Sequence, residues 1–313
     1  MTERIAYFFI AGIDDVYDKK TKRTKVVYTS DKFQIGRDSS IGKNSPEHNN
    51  LNISFEVHYK GNSIVPLPAK FAIDNVDENL KKYIVTNVNL FQERKRSIQF
   101  WCGYHNNERL LFDGRIEKAW YSGLPDSTLY INAWTALNYM GQQVKIKFNN
   151  IKAIDLLEDA VRKCGMTMNI PKQLRQHQQL QRIFASFSYE DSAYAYLTRV
   201  IKDITSFNLV KNQILISIEN NVVYVRHSDK KNTENPVVIG YWNGMVGRPE
   251  PTIMGVNVRT ILDPGFYVGQ TIELVSTEDD LYNGLYNIQE TIFHGNTQEE
   301  EFYTDLVCQK VIG

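Results

Sequence analysis

Apolar and polar residues alternate with a period of two at both ends of the chain, and that spacing predicts strands. LNISFEVHY sets Leu51, Ile53, Phe55 and Val57 against Asn52, Ser54, Glu56 and His58, a strand with one buried face. In GLYNIQETIF, Tyr286, Ile288, Glu290 and Ile292 oppose Leu285, Asn287, Gln289, Thr291 and Phe293. In EFYTDLVCQKV, Phe302, Thr304, Leu306 and Cys308 oppose Tyr303, Asp305, Val307 and Gln309. TIELV and MGVNVRTIL read as further strands, with the turn DPGFYVGQ between them. Asn283-Gly284 and Gly295-Asn296 sit where the chain must reverse. The last third, Pro236 to Val311, therefore reads as a Gly/Pro-rich loop, NPVVIGYWNGMVGRPEPT, followed by a small antiparallel meander.

The first part of the chain is also β-rich. IAYFFIAGI is a first strand, DKKTKRTK a charged loop or hairpin tip, and KVVYTSDKFQIGRDSS offers strands broken at Gly36. Residues 38–50 are loop by composition, and PLPAKFAIDNV is an irregular connection. KYIVTNVNLF, RSIQFWCGY, RLLFDGRIEKAW and TLYINAW are four β segments, with HNNE as a hairpin joint after Tyr104. Helical spacing appears only in the middle. Ile151, Ile154, Leu157, Val161 and Cys164 form one stripe, with Asn149 or Asn150 as cap and Gly165 as terminator. Ala193, Tyr196, Leu197, Val200, Ile201 and Ile204 form a second, opened by a Ser188/Asp191 variant of the capping box. Between them, KQLRQHQQLQR is a solvated connection or a marginal helix. QILISIEN and NVVYVRH make a hairpin across Asn220-Asn221, and residues 228–236 are a polar linker. The expected class is mainly β (α+β): a β domain over 1–145, an α+β middle domain over 146–230 with two helices and a hairpin, and a β domain over 231–313.

The totals narrow the function. The chain has 313 residues, 42% hydrophobic and 23% charged, which is globular rather than disordered. Lys plus Arg and Asp plus Glu are 36 each, a balance that argues against a dedicated nucleic-acid binder. Three cysteines, Cys102, Cys164 and Cys308, make no disulfide framework and fit synthesis in a reducing compartment. No apolar run approaches a bilayer span, and the N-terminus is a poor signal peptide.

Candidate chemistry is sparse. The acidic runs Asp14-Asp15, Asp279-Asp280 and Glu299-Glu300-Glu301 read as solvated tips rather than the facing pair a glycosidase needs. Cys102 and His105 have C-x-x-H spacing without a second pair, so they read as a strand cysteine beside a turn histidine rather than a metal site. There is no nucleophile elbow, P-loop, dinucleotide fingerprint or EF-hand. The basic runs Lys19-Lys20, Lys22-Arg23, Lys25 and Arg94-Lys95-Arg96 read as exposed loops, or as contacts to an acidic ring or pore. Tyr241, Trp242, Phe266 and Tyr267 either pack at home or anchor a partner. No catalytic, cofactor-binding or metal-binding residue is assigned, and no cofactor is expected.

One ordered pattern is more specific. Gly244, Gly247, Pro249, Gly255, Val256, Val258, Leu262, Pro264, Gly269, Ile272, Leu274, Asn283, Gly284, Tyr286, Ile288 and the turn His294-Gly295-Asn296-Thr297 resemble the C-terminal domain of the phage baseplate hub family, which includes the late-control D-like proteins of contractile tails. Gly103, Tyr104, Phe112, Gly114 and Ile116 resemble that family's N-terminal β domain. The resemblance implies two tube-like antiparallel barrel or sheet domains flanking the middle one, and for His294 a structural role in its turn. It implies a homotrimer and a structural, non-enzymatic protein of the virion's tail baseplate, assembled in the host bacterial cytoplasm. This adaptor joins a sixfold tail tube to a threefold central spike among baseplate wedge proteins. DNA passes only in transit during genome ejection, and no membrane insertion is implied. The alternatives are a tail-associated peptidoglycan-degrading enzyme, betrayed by cell-wall clearing, and a host-binding tail-tip module, betrayed by glycan or receptor binding.

Overall fold

A computed structural model describes residues 4–18, 23–37, 51–63, 68–76, 95–104, 107–123, 127–135, 142–206, 213–276 and 280–312, together with Glu78, Lys81, Ile84 and Val85. The first half is built of strands β1 (Arg4–Asp18), β2 (Arg23–Arg37), β3 (Ile53–Lys60), β4 (Ala69–Asp74), β5 (Lys95–Tyr104), β6 (Arg109–Tyr121) and β7 (Thr128–Trp134). Next come β8 (Gln143–Lys152), helix α1 (Ala153–Lys163), β9 (Thr167–Asn169), short α2 (Gln178–Gln181), β10 (Ile183–Ser192), α3 (Ala193–Thr205), β11 (Ile214–Glu219) and β12 (Val222–His227). The chain ends with β13 (Val237–Ile239), β14 (Met245–Pro251), β15 (Gly255–Ile261), β16 (Thr271–Leu274), β17 (Gly284–Asn296) and β18 (Phe302–Lys310). The protein is mainly β, as its periodicity predicts.

Two units emerge. One comprises Met1–Val57, Pro68–Thr135 and Phe293–Phe302, the other His58–Leu67, Ala136–Ile292 and Tyr303–Gly313. Strands β3, β17 and β18 each give residues to both.

In the first unit the strand order is β3-β4-β7-β6-β5-β1-β2, all antiparallel. Its core is a chain of phenylalanine rings. Phe8 lies 5.0 Å from Phe71 and 4.7 Å from Phe100, and Phe55 lies 4.9 Å from Phe100 and 5.7 Å from Phe302. Offset and edge contacts of this kind add to area burial. Gly114 makes room for the ring of Phe112, 6.0 Å from that of Phe71, since a Cβ there would sit 2.6 Å from it. The turn Asn296-Thr297 ties the end of β17 to β3. Thr297 N donates to the Ile53 carbonyl at 3.0 Å, its Oγ1 accepts from Ile53 N at 3.0 Å, and Asn296 Nδ2 donates to Ser54 Oγ at 2.9 Å.

In the second unit a sheet runs β14-β15-β18-β17-β16-β13, antiparallel except for β13, which runs parallel to β16. Beside it in sequence lies the α+β part. Leu156, Leu157, Ala160 and Val161 of α1 share a core with Tyr196, Leu197, Val200, Ile201 and Ile204 of α3 and with Ile214, Ile216, Val223 and Val225 of the β11–β12 hairpin. Asn220 and Asn221 both take positive φ, 46° and 64°, as a tight hairpin turn of the right twist requires.

Several expectations are corrected. PLPAKFAIDNV contains β4, because Ala69, Phe71 and Ile73 alternate into the core. In KYIVTNVNLF the described residues Ile84 and Val85 are helical, as is Lys81 just before it, and Lys81 and Ile84, three apart, are both buried. Strand β2 runs unbroken through Gly36, which pairs with Tyr7. The supposed loop 235–252 carries β13 and β14. Helix α3 begins later than read. Ser188 and Asp191 belong to β10, and Ser192 is the cap, its Oγ accepting from Ala195 N at 3.2 Å. Ile151 belongs to β8, and α1 starts at Ala153 with no side-chain cap, so Asn149 and Asn150 do not serve. Gly165, at φ 58°, does terminate it. In the Gln-rich stretch, Gln179 and Leu180 are buried, and Gln179 bridges the Ile204 carbonyl at 3.4 Å and Ile214 N at 3.0 Å. The hairpin tip at 19–22, the loop 38–50 and residues 86–94 lie outside the described residues.

Residues 228–236 are no free linker. Ser228 and Asp229 are buried. Asn287 Nδ2 donates to the carbonyls of Ser228 at 3.1 Å and Lys230 at 2.6 Å. Asn232 takes the His227 N–H at 2.8 Å and donates to the Gly269 carbonyl at 2.9 Å. A polar run is here an internal set of hydrogen-bond partners.

Candidate assembly surface

The aromatic residues singled out in the 241–267 stretch divide. Phe266 is buried and packs at home. Tyr267 is half-used: the Arg226 guanidinium lies 4.8 Å from its ring and 4.2 Å from that of Tyr224, while Arg226 Nη1 donates to Glu219 Oε1 at 2.9 Å and to the Val268 carbonyl. Gly269 permits this stack, because a Cβ there would come 2.4 Å from Arg226 Cδ. Tyr241 and Trp242 face outward, Trp242 with 60% of its surface exposed.

Trp242 stands on a corner held firmly by backbone bonds. Met245 N donates to the Gly240 carbonyl at 3.0 Å, Ile261 N to the Gly244 carbonyl at 2.8 Å, and Gly240 N to Asn243 Oδ1 at 2.6 Å. The indole lies over Gly240, where a Cβ would be 2.7 Å from the ring. Gly244, at φ 110°, leaves space for Ile261. Eight of the thirteen exposed large hydrophobic side chains among the described residues lie between Val237 and Tyr267. Scattered exposed apolar residues are ordinary, and these are set apart only by sharing one stretch of the chain. Val237, Val238, Ile253, Met254 and Ile261 were not foreseen. Ile253-Met254 at a hairpin tip, between Thr252 and Gly255, is the signal that could have found them.

The edges of the two sheets differ. Strand β14 ends its sheet and carries Pro249 and Pro251, which have no N–H to offer a further strand. Strand β2 ends the other order and, among the described residues, pairs only with β1 along its 15 residues. Such an edge must be covered or defended.

The sequence model of the baseplate hub gp41 family matches residues 35–308. The chain belongs to that family. The hub's fold is shared by solved structures at very low identity. The 43 kDa tail protein of prophage MuSo2 from Shewanella oneidensis is similar at TM-score 0.55 and 7% identity, with 97% of this chain and 98% of that one covered. The tail protein from Neisseria meningitidis MC58 is similar at 0.52 and 7%, covering 84% and 93%. The half-lidded Francisella PdpA-VgrG complex contains a chain similar at 0.54 and 8%, covering 98% of this chain and 58% of that one. No curated protein matches the chain by sequence.

The remaining candidate residues of the hub take structural positions. Cys102, Cys164 and Cys308 are all buried. Burial pushes the Cys164 thiol up to about 12 and raises Cys102 and Cys308 well above the ordinary range, so none presents a thiolate at neutral pH. His105 lies outside the described residues, and among those described no group of three His, Cys, Asp or Glu could hold a metal. His294 Nδ1 lies 3.8 Å from Glu301 Oε1, while the turn backbone is bonded by its neighbour: Asn296 Oδ1 accepts from Gln298 N at 2.7 Å and Glu299 N at 2.9 Å. Asp14 and Asp15 lie inside β1, opposite Val27 and Val26, not at a tip. Arg96 is not on an exposed loop either; it is buried in β5. Asp279 and Arg94 lie outside the described residues. Glu290 is held ionised, its carboxyl lowered first by the His58 hydrogen bond and further by Lys60, whose Nζ is 2.7 Å from Oε2. A carboxylate so committed across a strand pair is a staple.

Proposed function

We propose that this baseplate hub is a structural adaptor of a contractile phage tail. Three copies form a ring. Each contributes two tube-like β domains, 1–145 and 231–313, flanking the α+β segment 146–230. Six similar domains then surround a channel that receives a sixfold tail tube on one side and a threefold central spike on the other, with baseplate wedge proteins outside. The genome passes through during ejection, and the ring is assembled in the host cytoplasm. No enzymatic activity or cofactor is assigned.

The observation that carries this reading is the family match over residues 35–308. Two features support it. The 15-residue edge of β2 offers a row of backbone groups that a neighbouring strand would satisfy. The Val237–Tyr267 stretch offers aromatic anchors on rigid backbone.

The test is co-expression with the tail tube and spike proteins of the same particle, followed by light scattering and electron microscopy. A threefold ring bound to the spike is expected. A hub that stays monomeric in the presence of both partners, with no ring, refutes the adaptor.

A further inference from the structure

Strands β8 and β10 form a two-stranded ribbon, with Ile183 opposite Lys152 and Ser192 opposite Gln143. Among the described residues no other strand pairs with β10, so its outer edge is open. Helix α3 follows immediately and folds back beside it, with the Tyr196 ring 5.9 Å from Phe187 and 5.8 Å from Tyr189. A groove of about 630 Å³ runs between strand and helix.

Its composition is instructive. Ser186 and Ser188 fall on one side of β10 and Phe187 and Tyr189 on the other, with the Phe184 ring 6.1 Å from that of Phe187, and all five line the groove. A cavity bordered by both faces of a strand follows the strand's edge, where the backbone donors and acceptors lie. The opposite wall is one face of α3, where Arg199 and Asp203 stand one turn apart. Ser186 and Ser188 are exposed and small, leaving room for a second backbone, and Ile183, at the start of β10, is 60% exposed. The lining carries a net positive charge: the Arg182 guanidinium stacks 5.1 Å over Phe184, while on the far wall Arg199 and Asp203 are bound to each other at 2.9 Å.

We propose that this groove binds an extended, acidic segment of a partner polypeptide, which adds to β10 as a third strand. Backbone bonds to β10 would supply affinity, and the Arg182 guanidinium would select a carboxylate on the incoming segment. A segment of about six residues matches the usual length of a strand. The groove's geometry stands independently of the hub assignment, so either can fail alone.

The experiment uses the full chain against a random dodecapeptide display library, followed by hydrogen exchange with the enriched peptides. Enriched peptides should be rich in Asp or Glu, and their binding should slow exchange of alternate amides between Ile183 and Tyr189. Methylating alternate peptide nitrogens should abolish binding. Arg182→Glu should weaken it about tenfold, the ratio corresponding to one charge-assisted contact. Arg199→Gln serves as the second variant, and both are checked for unchanged melting. Absence of enrichment, selection of basic peptides, or protection that leaves β10 untouched overturns the proposal.

Discussion

Replacing Asn287 by alanine should unfasten the segment after β12 from the C-terminal sheet. Asn287 is fully buried on β17. Its amide donates to the carbonyls of Ser228 and Lys230, and its Oδ1 accepts from Thr271 Oγ1 at 2.8 Å. Truncation deletes these three hydrogen bonds and a longer one to the His227 carbonyl at 3.4 Å; the Lys230 carbonyl is left without its partner and the Thr271 hydroxyl without its acceptor, while the Ser228 carbonyl keeps Gln289 Nε2 at 3.3 Å. Each buried bond of this kind is worth about 1 kcal/mol net, and each group left unsatisfied costs more. The expected loss is therefore about 3–4 kcal/mol, a large fraction of a domain's stability. Leucine, of similar volume, should do no better, because the deficit is in polar partners and not in space. Ser228→Ala, which removes the hydroxyl's bond to Gln309 Oε1 at 2.7 Å and a long one to Gln289 Oε1 at 3.5 Å, should cost about 1 kcal/mol. Urea denaturation gives the stabilities, and amide exchange over residues 227–232 and 271–274 locates the damage. A loss below about 1 kcal/mol for Asn287→Ala, with exchange unchanged there, would show that water replaces the side chain and that the segment is held by other means.

Four further outcomes follow from the same coordinates. Gly255→Ala should cost at least about 2 kcal/mol by denaturant titration, since its Cβ would lie 2.1 Å from the Cys308 carbonyl oxygen and must push β15 from β18. Trp242→Ser should leave stability within about 0.5 kcal/mol, as surface substitutions do, yet reduce recovery of the ring with its spike and tube partners; unchanged recovery would remove this residue from the interface. His227 is kept below its ordinary 6.5 by burial, with Lys230 and His177 adding to the effect and Asp229 opposing it. The unfolded chain takes up the proton more readily, so its contribution is intact above about pH 6.5 and is lost as the pH falls below it. Melting temperature should drop between pH 7.5 and 5.5, and the drop should shrink in His227→Gln. Finally, iodoacetamide should label none of the three buried thiols quickly in the native protein and all three in urea, as mass spectrometry would register.

Period-two runs such as Leu51–Tyr59 and Gly284–Phe293 declared themselves as strands, and the α3 stripe declared its buried face, because each records which side of one element meets apolar surroundings. The order of motif glycines and the Asn-Gly turn declared the family, because a turn's φ and a close backbone approach restrict the local residue type. The β8–β10 ribbon was legible in principle: Val144, Ile146 and Phe148 alternate with lysines, but the run is short and leads directly into a helix. Other features depended on neighbours far along the chain. The sequence of residues 228–236 cannot distinguish a solvated linker from one pinned by Asn287 and Asn232, since a polar side chain looks the same whether water or a carbonyl receives it. Phe266 and Trp242 are equally apolar, and only the packed sheet buries one and leaves the other outside. Strand existence is a property of local spacing; strand pairing, open edges and the fate of each polar group depend on which distant residues the fold brings alongside.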